Sequence, residues 1–201
     1  WSSDVCSSDL YNEGGNGVIA ISMNRLYEFT YKLEKGALYM DFIDPHDIYD
    51  KVIVIDAGHG SRMSGATKNG IQEKDINLDI VLQLKALFDA YDGNIGVYYT
   101  RTDDSNPTLQ QRAELANKAG ADLFISVHNN SSGTGNFTSV NGTQVLYSES
   151  DDRELGSKKL AQICLDNVTA ATGSNDFGLL KADDIYIVRS SEAPVALIEV
   201  G

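Results

Sequence analysis

The side chains in this sequence best suited to binding a metal or moving a proton are two histidines and two glutamates. Three of them end or follow an apolar stretch typical of a buried β-strand: His59 in KVIVIDAGHG, His128 in LFISVH and Glu199 in ALIEVG. The fourth, Glu73, stands just ahead of an amphipathic stretch in GIQEKDINLDI. If these strands are parallel neighbours, the four side chains meet at one edge of a sheet, because the loops after such strands converge there.

Each of the four side chains also has an ordinary structural interpretation. A histidine after a strand is often only hydrogen-bonded, and an acidic residue such as Glu73 is favoured by the dipole of a following helix. Glu199 could face water from an edge strand. It is still the strongest single indication of a site, since a carboxylate among Val, Ala, Leu and Ile must be paired, bound to a metal or shifted in pKa.

Together these residue types indicate hydrolysis at a metal centre. Two neutral imidazoles and one carboxylate, with a fourth position open to water, form the ligand set of catalytic zinc. Such a metal lowers the pKa of water and polarises a carbonyl. A second carboxylate can take the proton of the water and pass it to a leaving amine, and Glu199, in apolar surroundings that raise its pKa, suits that role. The sequence therefore predicts an amide or ester hydrolase.

From residue 51 onward, apolar strands alternate with amphipathic helices. The predicted strands cover residues 52–55, 97–100, 123–127, 144–147, 185–188 and 195–200. The predicted helices cover residues 75–91, 108–119 and 153–171. This alternation predicts an α/β fold, with a mainly parallel twisted sheet and helices on both of its faces.

The remainder of the chain differs from this pattern. Residues 1–10 repeat Ser-Ser-Asp and lack the features of a signal peptide, so we interpret them as an artefact or a disordered leader. Residues 11–50 contain short alternating stretches broken by turn residues, which predict the C-terminal part of a β-rich N-terminal module plus a linker. Residues 51–201 are predicted to form the catalytic domain, and we expect it to be truncated at its C-terminus.

Charge and hydropathy exclude two classes of partner. The 201-residue chain has a formal net charge of −13, which argues against binding to nucleic acid, because that requires clustered Lys and Arg. No apolar run approaches the length that a membrane-spanning helix needs. We therefore predict neither a nucleic-acid partner nor a membrane span.

Several separated blocks of the sequence, in one order, resemble the zinc-dependent N-acetylmuramoyl-L-alanine amidases of bacterial cell walls. The blocks are VIVIDAGHG, NGIQEKDINLDI, RTDD, LQQRAELANKAGADLFISVHNNSS and PVALIEVG, and the resemblance covers residues 51–201. It implies that His59, Glu73 and His128 bind zinc and that Glu199 is the catalytic acid-base. It also implies hydrolysis of the amide between the lactyl group of N-acetylmuramic acid and L-alanine in peptidoglycan, outside the cytoplasm, with envelope targeting by the N-terminal module.

The chain departs from the family pattern in one loop. Members of the family commonly continue His-Gly with Gly-x-Asp-Pro-Gly-Ala, whereas this chain has HGSRMSGA. Ser61, Met63 and Ser64 therefore stand where Gly, Asp and Pro are usual. None of the three is an expected ligand, so the departure concerns the conformation of the loop and its substrate contacts.

Four further residues have weaker candidate roles. Asn129 and Asn130 could bind substrate amides or could only satisfy a turn. Arg189, placed after the predicted strand 185–188, could bind a carboxylate of the stem peptide or could pair with a neighbouring acid. Asp56 could orient a ligand imidazole, or the turn that carries it.

Three other functions are compatible with the sequence. The protein could be a zinc amidase or peptidase acting on a different amide, because the ligands determine the chemistry and not the substrate. It could also be a catalytically inactive wall-binding module or a structural surface domain. New L-alanine amino termini in purified sacculi would separate the first alternative, metal content the second, and the effect of replacing Glu199 the third.

Overall fold

The computed structural model of the chain describes residues 5–130 and 141–201. Two β-hairpins come first, β1 (Val5–Glu13) with β2 (Asn16–Met23) and β3 (Glu28–Glu34) with β4 (Ala37–Ile43). The elements that follow are α1 (Pro45–Ile48), β5 (Lys51–Ala57), β6 (Thr67–Lys68), β7 (Ile71–Gln72), α2 (Glu73–Asp89), β8 (Ile95–Tyr99), α3 (Leu109–Lys118), β9 (Leu123–His128), β10 (Gly142–Tyr147), α4 (Ser157–Thr172), β11 (Asn175–Lys181), α5 (Tyr186–Arg189) and β12 (Val195–Glu199).

A six-stranded sheet forms the centre of the fold, in the order β11-β10-β12-β9-β5-β8. Neighbouring strands are parallel except for β10 and β12, which pair antiparallel. The predicted α/β class and the mainly parallel sheet are confirmed. Because β5, β9 and β12 run parallel and side by side, their carboxyl ends lie at the same edge of the sheet.

Helices cover both faces of this sheet. Alternate side chains of β5 pack against helices on opposite faces. Ile53 and Ile55 belong to the apolar cluster that includes Val81 of α2. Val52 and Val54 point to the opposite face, in the cluster that includes Ala116 of α3. Such two-sided burial explains the continuous run of Val and Ile in β5, since a strand covered on both faces has no polar side.

The structure corrects one predicted element and contains one strand that was not predicted. The predicted strand 185–188 is wrong, because this stretch leads into the helical turn α5, where Ile187 and Val188 are buried. The strand β11 was not predicted, and its pattern of exposure is largely that of an edge strand. A short apolar run does not distinguish a strand from a buried helical turn. β11 begins with Asn175 and Asp176, residue types that are rare in strands and typical of turns.

The helix predicted over residues 75–91 begins earlier, at Glu73. Glu73 is therefore the first residue of α2 and not a loop residue ahead of it. Thr108 caps the start of α3, since its hydroxyl accepts from the Gln111 backbone N–H and the Gln111 side chain accepts from the Thr108 N–H.

The segments before β5 contact the α/β unit. The Leu26 N–H donates to the Lys118 carbonyl at 2.8 Å, and the Tyr98 hydroxyl donates to Glu28 at 2.7 Å. The strands expected within residues 11–50 are present, while residues 5–10, which the sequence analysis set aside, lie in β1. Residues 1–4 lie outside the described part of the chain. In that described part, no helix has both the length and the apolar character needed to cross a membrane.

Candidate metal and catalytic site

The turn after β5 places His59 at the carboxyl edge of the sheet. His59 has a φ of 61°, a left-handed conformation that costs a non-glycine residue about 1–2 kcal/mol. Glycine is needed on both sides of His59, because other residues approach the backbone closely at positions 58 and 60. A Cβ on Gly58 would overlap the imidazole of His128, and a Cβ on Gly60 would overlap the Ser105 carbonyl. The two histidines can therefore approach each other only because residue 58 lacks a side chain.

His59, Glu73 and His128 bring their ligand atoms together. The Oε1 atom of Glu73 lies 3.1 Å from His59 Nε2 and 3.0 Å from His128 Nδ1. One ligand atom from each residue lies within 4.8 Å of the others, and this is the only such group of His, Cys, Asp or Glu side chains in the described part of the chain. These three residues converge as the sequence analysis expected.

The donor set fits zinc, which commonly takes imidazole nitrogens and a carboxylate oxygen. Burial raises the pKa of Glu73, but hydrogen bonds from His128 and His59 and from the N–H groups of Ala66 and Asn129 outweigh it and hold the pKa well below its usual range. Glu73 is therefore ionised, as a metal ligand must be. Space around its carboxylate is tight, since a Cβ on Gly65 would overlap Glu73 Oε2.

Glu199 reaches the same edge from β12. It pairs with His128 in the register of β12 and β9, and its Oε2 atom is buried without a hydrogen-bond partner among the described residues. Burial raises the pKa of Glu199, the charge of Glu73 adds to the rise, and His128 and His59 oppose it. A buried polar atom without a partner is unusual in a folded protein, and it makes Glu199 a candidate for a group that accepts and returns a proton.

Asp56 does not contact an imidazole. Its carboxylate accepts from Thr100 and Ser126 and forms a buried ion pair with Arg112 of α3. Arg112 in turn donates to the carbonyls of Ala57 and His59, both at 2.7 Å. Asp56 therefore reaches the turn that carries His59 through Arg112, which corresponds to the second of the two roles considered for it, the turn and not the imidazole.

Arg101 holds the same turn from another side. Its guanidinium donates to the carbonyls of Ala57 at 2.8 Å, Gly58 at 3.0 Å and Lys74 at 2.8 Å. Burial lowers the pKa of Arg101, and the charge of Arg112 adds to that effect. Two buried guanidinium groups thus bind the consecutive carbonyls 57–59, which stabilises the left-handed conformation of His59.

Replacing Arg112 by Met is expected to lower the free energy of unfolding by about 3–5 kcal/mol, because the buried Asp56 would lose the cation it is paired with. The matched control is Arg25→Met, since Arg25 is an exposed partner of Asp44 and such surface pairs contribute about 0–1 kcal/mol. Urea denaturation of both variants measures the difference. Equal losses for the two variants would contradict the structural role of Arg112.

The loop of unusual sequence after Gly60 is held by backbone hydrogen bonds. Gly60 and Met63 exchange two of them, at 2.9 and 3.0 Å, and the Ser61 N–H donates to Asp104 at 2.9 Å. The Ala66 N–H donates to Glu73 Oε2 at 2.8 Å. The loop therefore supports the Glu73 carboxylate without the usual Asp and Pro.

The weaker candidates have different placements. The Asn129 backbone N–H donates to Glu73 at 3.2 Å, so Asn129 belongs to the site. Asn130 is the exposed residue that follows it, at the end of a described segment.

Arg189 lies elsewhere. It ends α5 and lines a cavity with Ser148, and β10 ends just before Ser148, opposite the start of β12. Arg189 is thus at the edge of the sheet away from Glu199, and its predicted position at the candidate site is wrong.

Asn77 is a residue of the site that was not predicted from the sequence. This residue lies four positions after Glu73 in α2, is fully buried, and contacts both Glu73 and Asn129. Its spacing was the available signal, since residues four apart occupy the same face of a helix.

Comparisons with known proteins agree with this geometry. A family model described as N-acetylmuramoyl-L-alanine amidase matches residues 53–201. The sporulation-specific N-acetylmuramoyl-L-alanine amidase of Bacillus subtilis (strain 168) is 43% identical over 155 residues, which are 74% of this chain and 55% of that protein. N-acetylmuramoyl-L-alanine amidase LytC of the same organism is 34% identical over 152 residues, 76% of this chain and 29% of LytC. The chain thus spans less than two thirds of either relative.

A solved structure shows the same architecture. The catalytic domain of CwlV, an N-acetylmuramoyl-L-alanine amidase from Bacillus (Paenibacillus) polymyxa var. colistinus, is similar with a TM-score of 0.67 and 35% identity, over 75% of this chain and 80% of that one. The resemblance inferred from the motifs is confirmed by the family match from residue 53 to residue 201. By this match, and with the fold in agreement, the chain belongs to the N-acetylmuramoyl-L-alanine amidase family.

Proposed function

We propose that this protein is a zinc-dependent amidase that hydrolyses the amide between the lactyl group of N-acetylmuramic acid and L-alanine in peptidoglycan. The observation that carries the proposal is the arrangement at the carboxyl edge of the sheet. Three ligand atoms lie within 4.8 Å of one another, beside a second carboxylate whose Oε2 atom is buried without a partner. Membership of the family supports the choice of bond.

His59, Glu73 and His128 would hold the zinc ion. When bound, zinc would polarise the scissile carbonyl and make the attacking water more acidic. Hydrogen bonds to Glu73 and the guanidinium groups on the turn of His59 would hold this ligand set in place. Hydrogen bonds of this kind to ligand residues orient the ligands and raise metal affinity.

Glu199 would move the protons of the reaction. Its carboxylate accepts a proton from the attacking water as the new C–O bond forms at the lactyl carbonyl. It then donates that proton to the nitrogen of L-alanine as the C–N bond breaks. The products are a lactyl carboxylate on the glycan and a stem peptide with a free amino terminus.

The substrate determines where the protein would act. Peptidoglycan lies outside the cytoplasm, so we propose that the protein works in the cell wall or periplasm, or is secreted. We also propose that the β-hairpins before residue 50 belong to a module that directs it to the envelope.

Zinc dependence can be tested with purified protein and purified sacculi. The metal-free protein is expected to release no stem peptides, and one equivalent of zinc is expected to restore release. Protein that binds no zinc and releases nothing would favour an inactive wall-binding module. Zinc-dependent cleavage of other amides, with peptidoglycan left intact, would favour a different amidase or peptidase.

A further inference from the structure

Asn77 is the buried polar residue that links the three segments of the candidate metal site. It is fully buried in α2. Its Nδ2 atom donates to the Gly58 carbonyl at 3.1 Å and lies 3.5 Å from Glu73 Oε1. Its Oδ1 atom accepts from Asn129 Nδ2 at 2.7 Å. Every polar atom of the side chain thus contacts the site.

Each of these contacts belongs to a segment that presents one proposed ligand. Gly58 precedes His59 in the turn after β5, Glu73 is itself a ligand, and Asn129 follows His128 at the end of β9. We propose that Asn77 is a positioning residue that fixes these three segments relative to one another and so sets the metal affinity of the site. This inference rests on the proposed zinc site.

The chemistry of the contacts explains why residue 77 is an amide. The Gly58 carbonyl and the Glu73 carboxylate are both acceptors, whereas Asn129 Nδ2 is a donor. A buried side chain between them must supply two N–H donors and one acceptor, and asparagine does so at this length. Leucine has nearly the same shape but would remove all three contacts. Asn129 Nδ2 would lose its acceptor, and an unsatisfied polar group is costly where it is buried, whereas the Gly58 carbonyl and Glu73 would keep other donors.

The test compares Asn77→Leu with Val81→Ala. Val81 is also fully buried in α2, one turn further on, but it packs in the apolar cluster with Ile55 and Val127 and not on the ligands. Zinc affinity is measured by competition with a chromophoric chelator, and the visible spectrum of the cobalt-substituted protein reports the geometry of the ligands. Asn77→Leu is expected to bind zinc about 10–100-fold more weakly, with an altered cobalt spectrum. Val81→Ala is expected to melt at a lower temperature but to bind zinc within twofold of the wild type.

Zinc affinity of Asn77→Leu within twofold of the wild type, with an unchanged cobalt spectrum, would overturn the inference. If Asn77→Leu does not fold, Asn129→Ala tests the same inference. Among the described contacts of Asn77, this variant removes the one with the His128 segment. We expect this variant to weaken zinc binding about two- to tenfold, and no change would overturn the inference. Wild-type protein that binds no zinc would overturn the proposed function as well, whereas wild-type hydrolysis with unaffected variants overturns only the role of Asn77.

Discussion

Glu199→Gln is expected to reduce peptidoglycan hydrolysis by about 10²–10⁴-fold while the protein keeps its zinc. Glutamine has the shape of glutamate but cannot take a proton from water near neutral pH. Glu199 lies in β12 with its Oε2 atom buried, so the substitution removes a proton acceptor without removing any proposed ligand. The rate of release of stem peptides from purified sacculi measures the effect, and metal analysis of the same sample measures the zinc.

The matched control for this variant is Glu192→Gln. Glu192 is an exposed glutamate in the segment before β12, away from the carboxyl edge. Its replacement is expected to leave hydrolysis at the wild-type rate. If Glu199→Gln hydrolysed peptidoglycan within a few-fold of the wild type, the proton-transfer role of Glu199 would be excluded.

His128→Ala is expected to lose both zinc and activity. The imidazole supplies one of the three proposed ligands, and its Nδ1 atom lies 3.0 Å from the Glu73 carboxylate. Zinc sites with three protein ligands depend on each of them. Protein purified with zinc should therefore contain far less than one equivalent after dialysis, as measured by atomic emission.

His46→Ala is the control for this loss, because His46 is the remaining histidine of the chain. It lies in α1 and contacts Asp122 at 3.3 Å, near the linker. The control should retain a full equivalent of zinc and the activity of the wild type. A His128→Ala protein that keeps its zinc would show that the three residues do not form the metal site.

The carboxyl-edge arrangement could be predicted because its signals are local. The apolar run 52–55 has no polar side, so it is expected to be an inner strand, and a histidine in the turn after that strand is expected to lie at an edge of the sheet. Glu199 could be predicted as a site residue because burying a carboxylate in an apolar strand is costly unless the group is paired, bound to a metal or shifted in pKa. The parallel order of the strands then brings these residues together without any knowledge of side-chain contacts.

The parts that could not be predicted depend on contacts between residues far apart in the sequence. Asp56 pairs with Arg112, 56 positions later, and no local pattern indicates that pair. Arg189 was misplaced because the apolar run before it is as compatible with a helical turn as with a strand. Asn77 shows a helical spacing to Glu73, but its role is visible only when the ends of β5 and β9 are placed beside it.

The most direct test of the account is to identify the new chemical ends that zinc-loaded protein creates in purified sacculi. Labelling of free amines followed by mass spectrometry is predicted to find stem peptides with L-alanine at a new amino terminus, and glycan strands that keep their length and carry free lactyl groups. New reducing sugar ends, or new amino termini at other residues without L-alanine, would contradict the proposed amidase reaction.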